Sequence, residues 1–101
     1  MASTHLGNIE QAIRVLKQRL IAVGDMRPGT LSVQYRNPAK KKTPFNQISY
    51  TYKGRSHSEY VRPANLETVR REIEAFKRCK SMLSQLVDLS IQASRLRCRT
   101  G

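Results

Sequence analysis

The stretch ISYTYKGRSHSEYVRP (Ile48–Pro63) decides the fold. Ile48, Tyr50 and Tyr52 alternate with Ser49, Thr51 and Lys53, the period-2 pattern of a strand with one apolar face. Lys53-Gly54 then marks a hairpin turn, although one glycine leaves the turn type open. A return strand follows from Arg55 to Arg62, and Pro63, with no N–H to give to a ladder, ends it. A register that sets Ser56, Ser58 and Tyr60 beside the tyrosines would place Lys53, Arg55, His57 and Glu59 on the opposite face.

Upstream of the hairpin, residues 37–44 read as a loop bounded by Pro38 and Pro44, carrying Lys40, Lys41 and Lys42. Before it, Leu31, Val33 and Tyr35 alternate with Ser32, Gln34 and Arg36, a strand over 30–36 that completes a three-stranded antiparallel sheet across 30–62. Met26–Gly29 is a turn. Further upstream, Ile9, Ile13, Leu16, Leu20 and Val23 recur at steps of 4, 3, 4 and 3, one helical stripe. With Asn8 as N-cap, Gln11 three residues on, and Gly24 as stop, the spacing predicts a helix over 8–23.

Downstream, Pro63 opens a second helix over 64–98, with Asn65 as its cap. Leu66, Val69, Ile73 and Phe76 start its stripe, which drifts through Cys79, Leu83, Leu86, Leu89, Ala93 and Leu96. A break near Ser81–Ser84 is the alternative to one long helix. The expected architecture is α+β in the order α-β-β-β-α, one domain over residues 1–101, with the sheet packed on a short N-terminal and a long C-terminal helix. The first helix covers only half of the second. Leu83, Leu86, Leu89 and Leu96 are therefore expected to lie partly bare and to form a dimer or partner interface.

Charge narrows the function. The 101 residues hold 19 Lys+Arg against 7 Asp+Glu, a net of +12. Such a field attracts polyanions, and Lys and Arg that neutralise phosphate gain affinity by counterion release. Residues 36–62 hold Arg36, Lys40, Lys41, Lys42, Lys53, Arg55 and Arg62 against Glu59 alone, so +6 of the +12 falls there. These residues, with His57 beside them, are the expected nucleic-acid contacts, although any one lysine taken singly reads more readily as a solvated charge. A two-stranded ribbon fits the major groove of duplex DNA. DNA is the favoured partner, and RNA fits the same charge.

Tyr35, Tyr50, Tyr52 and Tyr60 admit two readings. They share strand pattern with Leu31, Val33 and Ile48, so core packing is expected, with Tyr52 the best candidate for base stacking. On the last helix, Arg70, Arg71, Lys77, Arg78 and Lys80 interleave with Glu67, Glu72 and Glu74, and Arg70 is spaced to pair with Glu74. Arg95, Arg97 and Arg99 give a basic end that suits a helix C-terminus.

Chemistry is sparsely represented. His5 falls in a start expected to be unstructured, and His57 on an exposed strand, where Glu59 shares its face. No paired carboxylates, Gly-rich phosphate loop or nucleophile with an adjacent base stands out, so no enzyme and no cofactor is expected. Cys79 and Cys98 are too few for a thiolate metal site or a disulfide framework and read as small buried apolar residues, so no metal is expected. No run approaches the roughly 18 apolar residues of a membrane span, and the start lacks the segments of a signal peptide. The expectation is a reduced, cytoplasmic protein.

MRPGTLSVQYR (Met26–Arg36), ISYTYKGRSHSEYVRP (Ile48–Pro63) and LETVRREIEAFKR (Leu66–Arg78) together resemble a family of small bacterial proteins of unknown function encoded near transposase genes. The resemblance covers residues 9–90. Members carry a Cys-rich loop between the first strand and the hairpin, where this chain has NPAKKKTP (Asn37–Pro44), lysines in place of a metal knuckle. The resemblance implies a mobile-element or phage setting with DNA association, and brings no catalytic residue. A nucleic-acid-binding accessory protein is the first expectation. A module that docks on a larger nucleoprotein complex and modulates it is the alternative.

Overall fold

The computed structural model describes residues 2–37, 39 and 42–100, with side chains for all of these except residues 2–4, 42, 43 and 100. The elements are α1 (Ala2–Ile21), β1 (Thr30–Asn37), β2 (Lys42–Tyr52), β3 (Arg55–Val61), a 3₁₀ turn (Pro63–Asn65) and α2 (Leu66–Thr100). The order is α-β-β-β-α, as the periodicities predict. The chain forms two compact units, residues 25–77 and residues 1–24 with 78–101.

Within residues 25–77 the sheet is antiparallel in the order β1-β2-β3. Leu31 pairs with Ile48 across β1–β2, and Ile48 pairs with Glu59 across β2–β3. Ile48 and Val61 bury one face of the sheet on Val69 and Ile73 of α2, with Leu31 and Leu66 at the margin. Arg27 N–H donates to the Glu72 carbonyl at 3.2 Å, fastening the segment before β1 to the helix. Gly29 follows with φ +151°, and a Cβ there would stand 2.6 Å from two side-chain carbons of Ile48, so only glycine lets the chain pass.

Lys53 and Gly54 both take positive φ, 52° and 76°, and link the paired Tyr52 and Arg55. This is the type I′ turn, whose twist matches that of the strands it joins. The turn sets the register opposite to the expected one: Arg55, His57 and Glu59, not Ser56, Ser58 and Tyr60, lie beside Tyr52, Tyr50 and Ile48. The expected loop at 37–44 is also shorter. β1 runs to Asn37 and β2 starts at Lys42, with Pro44 paired to Tyr35. Pro44 is tolerated because β3 pairs with β2 only from Asn46 onward, leaving one side of β2 unpaired at the proline.

In the other unit, α1 starts six residues ahead of the predicted N-cap, and Asn8 is an exposed helical residue. Leu6 adds one more turn to the stripe and packs with Ile9 and Ile13 about Ala93, which outweighs the weak helix propensity of Gly7 and Asn8. α1 ends at Ile21, and Gly24 takes φ +80° after it. α2 is one helix from Leu66 to Thr100, without a break at Ser81–Ser84. Leu86, Leu89 and Leu96 are half-buried, packed against the Ile9–Ile13–Ala93 cluster on one side. Cys79 is half-buried and Cys98 exposed, both as free thiols; the buried role read for Cys98 does not hold.

Candidate nucleic-acid interface

The register divides the expected contacts between two ends of the sheet. Lys53, Arg55 and His57 gather at the β2–β3 hairpin. Arg36 lies at the end of β1, Lys42 opens β2 opposite Asn37, and Arg62 follows Val61, the partner of Asn46. Asn46 to Tyr52 spans six residue steps, so the two groups are separated by roughly 20 Å at about 3.3 Å per residue. Lys40 and Lys41 lie outside the described residues, as does the Lys42 side chain.

At the hairpin, cationic and aromatic groups interleave. The Lys53 ammonium stands 5.3 Å from the Tyr52 ring centroid, within cation–π range. His57 stacks on its cross-strand partner Tyr50, with centroids 4.9 Å apart and planes 19° from parallel. Arg27 covers the same tyrosine at 5.2 Å and forms an ion pair with Glu59 at 3.3 Å. The Tyr50 hydroxyl donates to Glu59 Oε1 at 2.8 Å. That hydrogen bond, then the one from Arg27, holds the Glu59 carboxyl below its ordinary range; the same bond to Glu59 pushes the Tyr50 phenol up. Glu59, the one acid of the basic segment, is thereby engaged by Arg27 and Tyr50.

The opposite face of the sheet carries Ser32, Gln34 and Arg36 of β1, Phe45, Gln47, Ser49 and Thr51 of β2, and Ser56, Ser58 and Tyr60 of β3. Tyr60 is 59% exposed and lies beside Phe45, ring centroids 6.3 Å apart at 52°. The tyrosines do not form the expected core. Tyr35, Tyr52 and Tyr60 are exposed, and Tyr50 is half-buried under Arg27 and His57. Among the described residues, the sheet buries only Ile48 and Val61 against the first turns of α2, with Leu31 at the edge.

On α2 the Glu67–Arg70 and Glu74–Lys77 pairs form at i,i+3, in place of the expected Arg70–Glu74 pair. Arg97 pairs with Glu10 at 3.2 Å. His5, expected in an unstructured start, is helical and lines a recess with Gln92, Arg95 and Arg99. Leu83 is 51% exposed and continues along α2 through Val87 and Ile91, two residues the drifting stripe passed over. Among the described residues no three His, Cys, Asp or Glu gather as metal ligands. No helix among them is long and apolar enough to cross a membrane. Neither the family models, nor the curated proteins, nor the solved structures include a match to this chain.

Proposed function

We propose that this chain is a small, basic, non-enzymatic nucleic-acid-binding accessory protein, acting in the cytoplasm in the service of a mobile element or phage. The observation that carries the reading is the concentration of cations on and around the sheet: residues 36–62 hold seven Lys and Arg against one acid, and that acid is paired with Arg27. Lys53, Arg55 and His57 at one hairpin, and Arg36, Arg62 and the Lys40–Lys42 run, contact phosphate. DNA is favoured over RNA. Each phosphate neutralised steepens the salt dependence of binding by about 0.7–0.9 in log K against log salt, so five contacts give a slope near −4. Charge reversal of Lys41 and Lys42 together lowers affinity, flattens that slope by about 1–2, and leaves the thermal transition in place. Titration of labelled DNA at several salt concentrations reads both. An unchanged slope removes the lysine run from the interface.

A second reading has its own observation. Leu83, Val87 and Ile91, at i, i+4 and i+8 on α2, are each about half exposed. Such a row suits a docking surface for a protein partner or a second copy of the chain. Light scattering of the unsubstituted protein and of a Leu83→Glu, Val87→Glu variant separates the cases. A mass of 11.6 kDa, that of one chain, at every concentration rules out self-association.

A further inference from the structure

We infer that the sheet face bearing Phe45 and Tyr60 binds single-stranded nucleic acid by base stacking. This rests on the nucleic-acid reading and deepens it by naming the form of the polymer and the surface that takes it. The face is the one turned away from the Ile48–Val61 core, because its residues alternate with Ile48 on β2 and with Val61 on β3. An exposed tyrosine ring on a sheet costs hydration of apolar surface and contributes little to stability when no core forms over it. Tyr60 and Phe45 nonetheless stand together, diagonal across β2–β3, with the Tyr60 ring largely open.

Their surroundings suit an unpaired strand. The aromatic pair lies at the basic end of the sheet: Gln34, the partner of Phe45, is two residues from Arg36, and Tyr60 is two from Arg62. A backbone can therefore be held by guanidinium groups while its bases lie over the rings. The rest of the face is a polar field of hydroxyls and carboxamides. Gln34 Nε2 donates to Ser32 Oγ at 3.1 Å and Gln47 Nε2 to Ser49 Oγ at 3.4 Å, which orders the amides and turns donors and acceptors along the strands. Splayed bases present open faces and edges that such groups can stack on and bond, whereas a duplex keeps its base faces stacked internally and gives the rings none to take. A stacked strand therefore gains from the ring pair what a duplex does not.

The alternative is that Phe45–Tyr60 is a cross-strand pair that only supports the hairpin. Binding separates the two. A dye-labelled oligothymidylate and a duplex of the same length are titrated by anisotropy with the unsubstituted protein, Tyr60→Ala and Tyr60→Phe. The expected result is tighter binding of the single strand, a loss of about 10-fold with Tyr60→Ala, near-full retention with Tyr60→Phe, and no change for the duplex. Photo-crosslinking of the unsubstituted protein to the oligothymidylate, which requires no variant to fold, places the adducts on Phe45 or Tyr60. Equal binding by Tyr60→Ala, duplex preference, or adducts confined to other residues overturns the stacking surface while leaving the nucleic-acid reading intact. Failure to bind either polymer at low salt overturns both.

Discussion

Gly29→Ala tests how the sheet is closed against α2. Two effects add. The backbone at φ +151° lies where residues with a Cβ are strained, worth about 1–3 kcal/mol. The new methyl would also sit 2.6 Å from Ile48 Cγ1 and Cδ1, where carbon pairs prefer about 3.5–4.0 Å. Ile48 has no exposed surface and cannot swing aside, so the overlap falls in the range of core overpacking, about 1–3 kcal/mol. A total near 4 kcal/mol would lower the midpoint of a domain this size by roughly 15–30 °C. Circular dichroism against temperature and urea measures it. Gly54→Ala is the comparison: φ there is +76° with nothing within 4 Å of the added methyl, so only the backbone cost of about 1 kcal/mol applies. Repeating Gly29→Ala in an Ile48→Ala background removes both clashing carbons, and the penalty should shrink by the overlap contribution. A Gly29→Ala cost below about 1 kcal/mol, or one unaltered by Ile48→Ala, would refute the reasoning.

Four further outcomes concern the Tyr50–Glu59 contact, the α1–α2 packing and the Glu10–Arg97 pair. Tyr50→Phe deletes the hydrogen bond that contributes most to lowering Glu59, so the Glu59 carboxyl titrates higher than in the unsubstituted protein, though Arg27 still holds it below its ordinary 4.5; an NMR titration with no shift would remove that bond from the account. Since the Glu59 pKa is depressed and that of Tyr50 raised above 10.0, the contact stabilises fully between about pH 4.5 and 10, and is lost as pH falls through the folded Glu59 value or rises through the folded Tyr50 value. Ala93→Leu, at a fully buried position against Ile9 and Ile13, overpacks the α1–α2 contact by about 1–3 kcal/mol and speeds amide exchange in α1, whereas unaltered exchange would mean the helix does not depend on this seam. Glu10→Gln breaks the exposed pair with Arg97 and changes stability by less than about 1 kcal/mol in urea titration, a larger loss indicating a coupled network.

The element order was legible because each element carries its own period: steps of 3 and 4 from Ile9 to Leu20, alternation from Leu31 to Tyr35 and from Ile48 to Tyr52, then steps of 3 and 4 from Leu66. Pairing was harder, since it lies between strands. A slip of one residue moves every side chain to the other face, and alternation alone does not choose between slips. The cue was the turn: a two-residue loop at Lys53-Gly54 forces Tyr52 opposite Arg55 and thence His57 beside Tyr50. Glycine there admits other loop lengths, and the sequence has no Asn-Gly to exclude them. Burial is less legible for a related reason. Tyr35, Tyr52 and Tyr60 have strand propensity, but a sheet covered on one face by one helix has room for only the residues nearest that helix.

The long helix follows the same logic and bears most on function. α2 serves two cores, Val69 and Ile73 against the sheet, then Leu86, Leu89, Ala93 and Leu96 with α1. Read as one drifting stripe, those positions absorb Leu83 and leave no place for Val87 and Ile91. At about 100° per residue, Leu83, Val87 and Ile91 centre roughly 140° round the helix from the α1 contact. A residue at that angle cannot also face α1, so the exposed row is a consequence of where α1 docks and persists while Ile9 and Ile13 hold Ala93. The apolar row on α2 therefore has its own cause, and under the proposed function substitutions at Leu83 and Val87 should leave nucleic-acid affinity unchanged while those at Arg55 or Tyr60 should lower it.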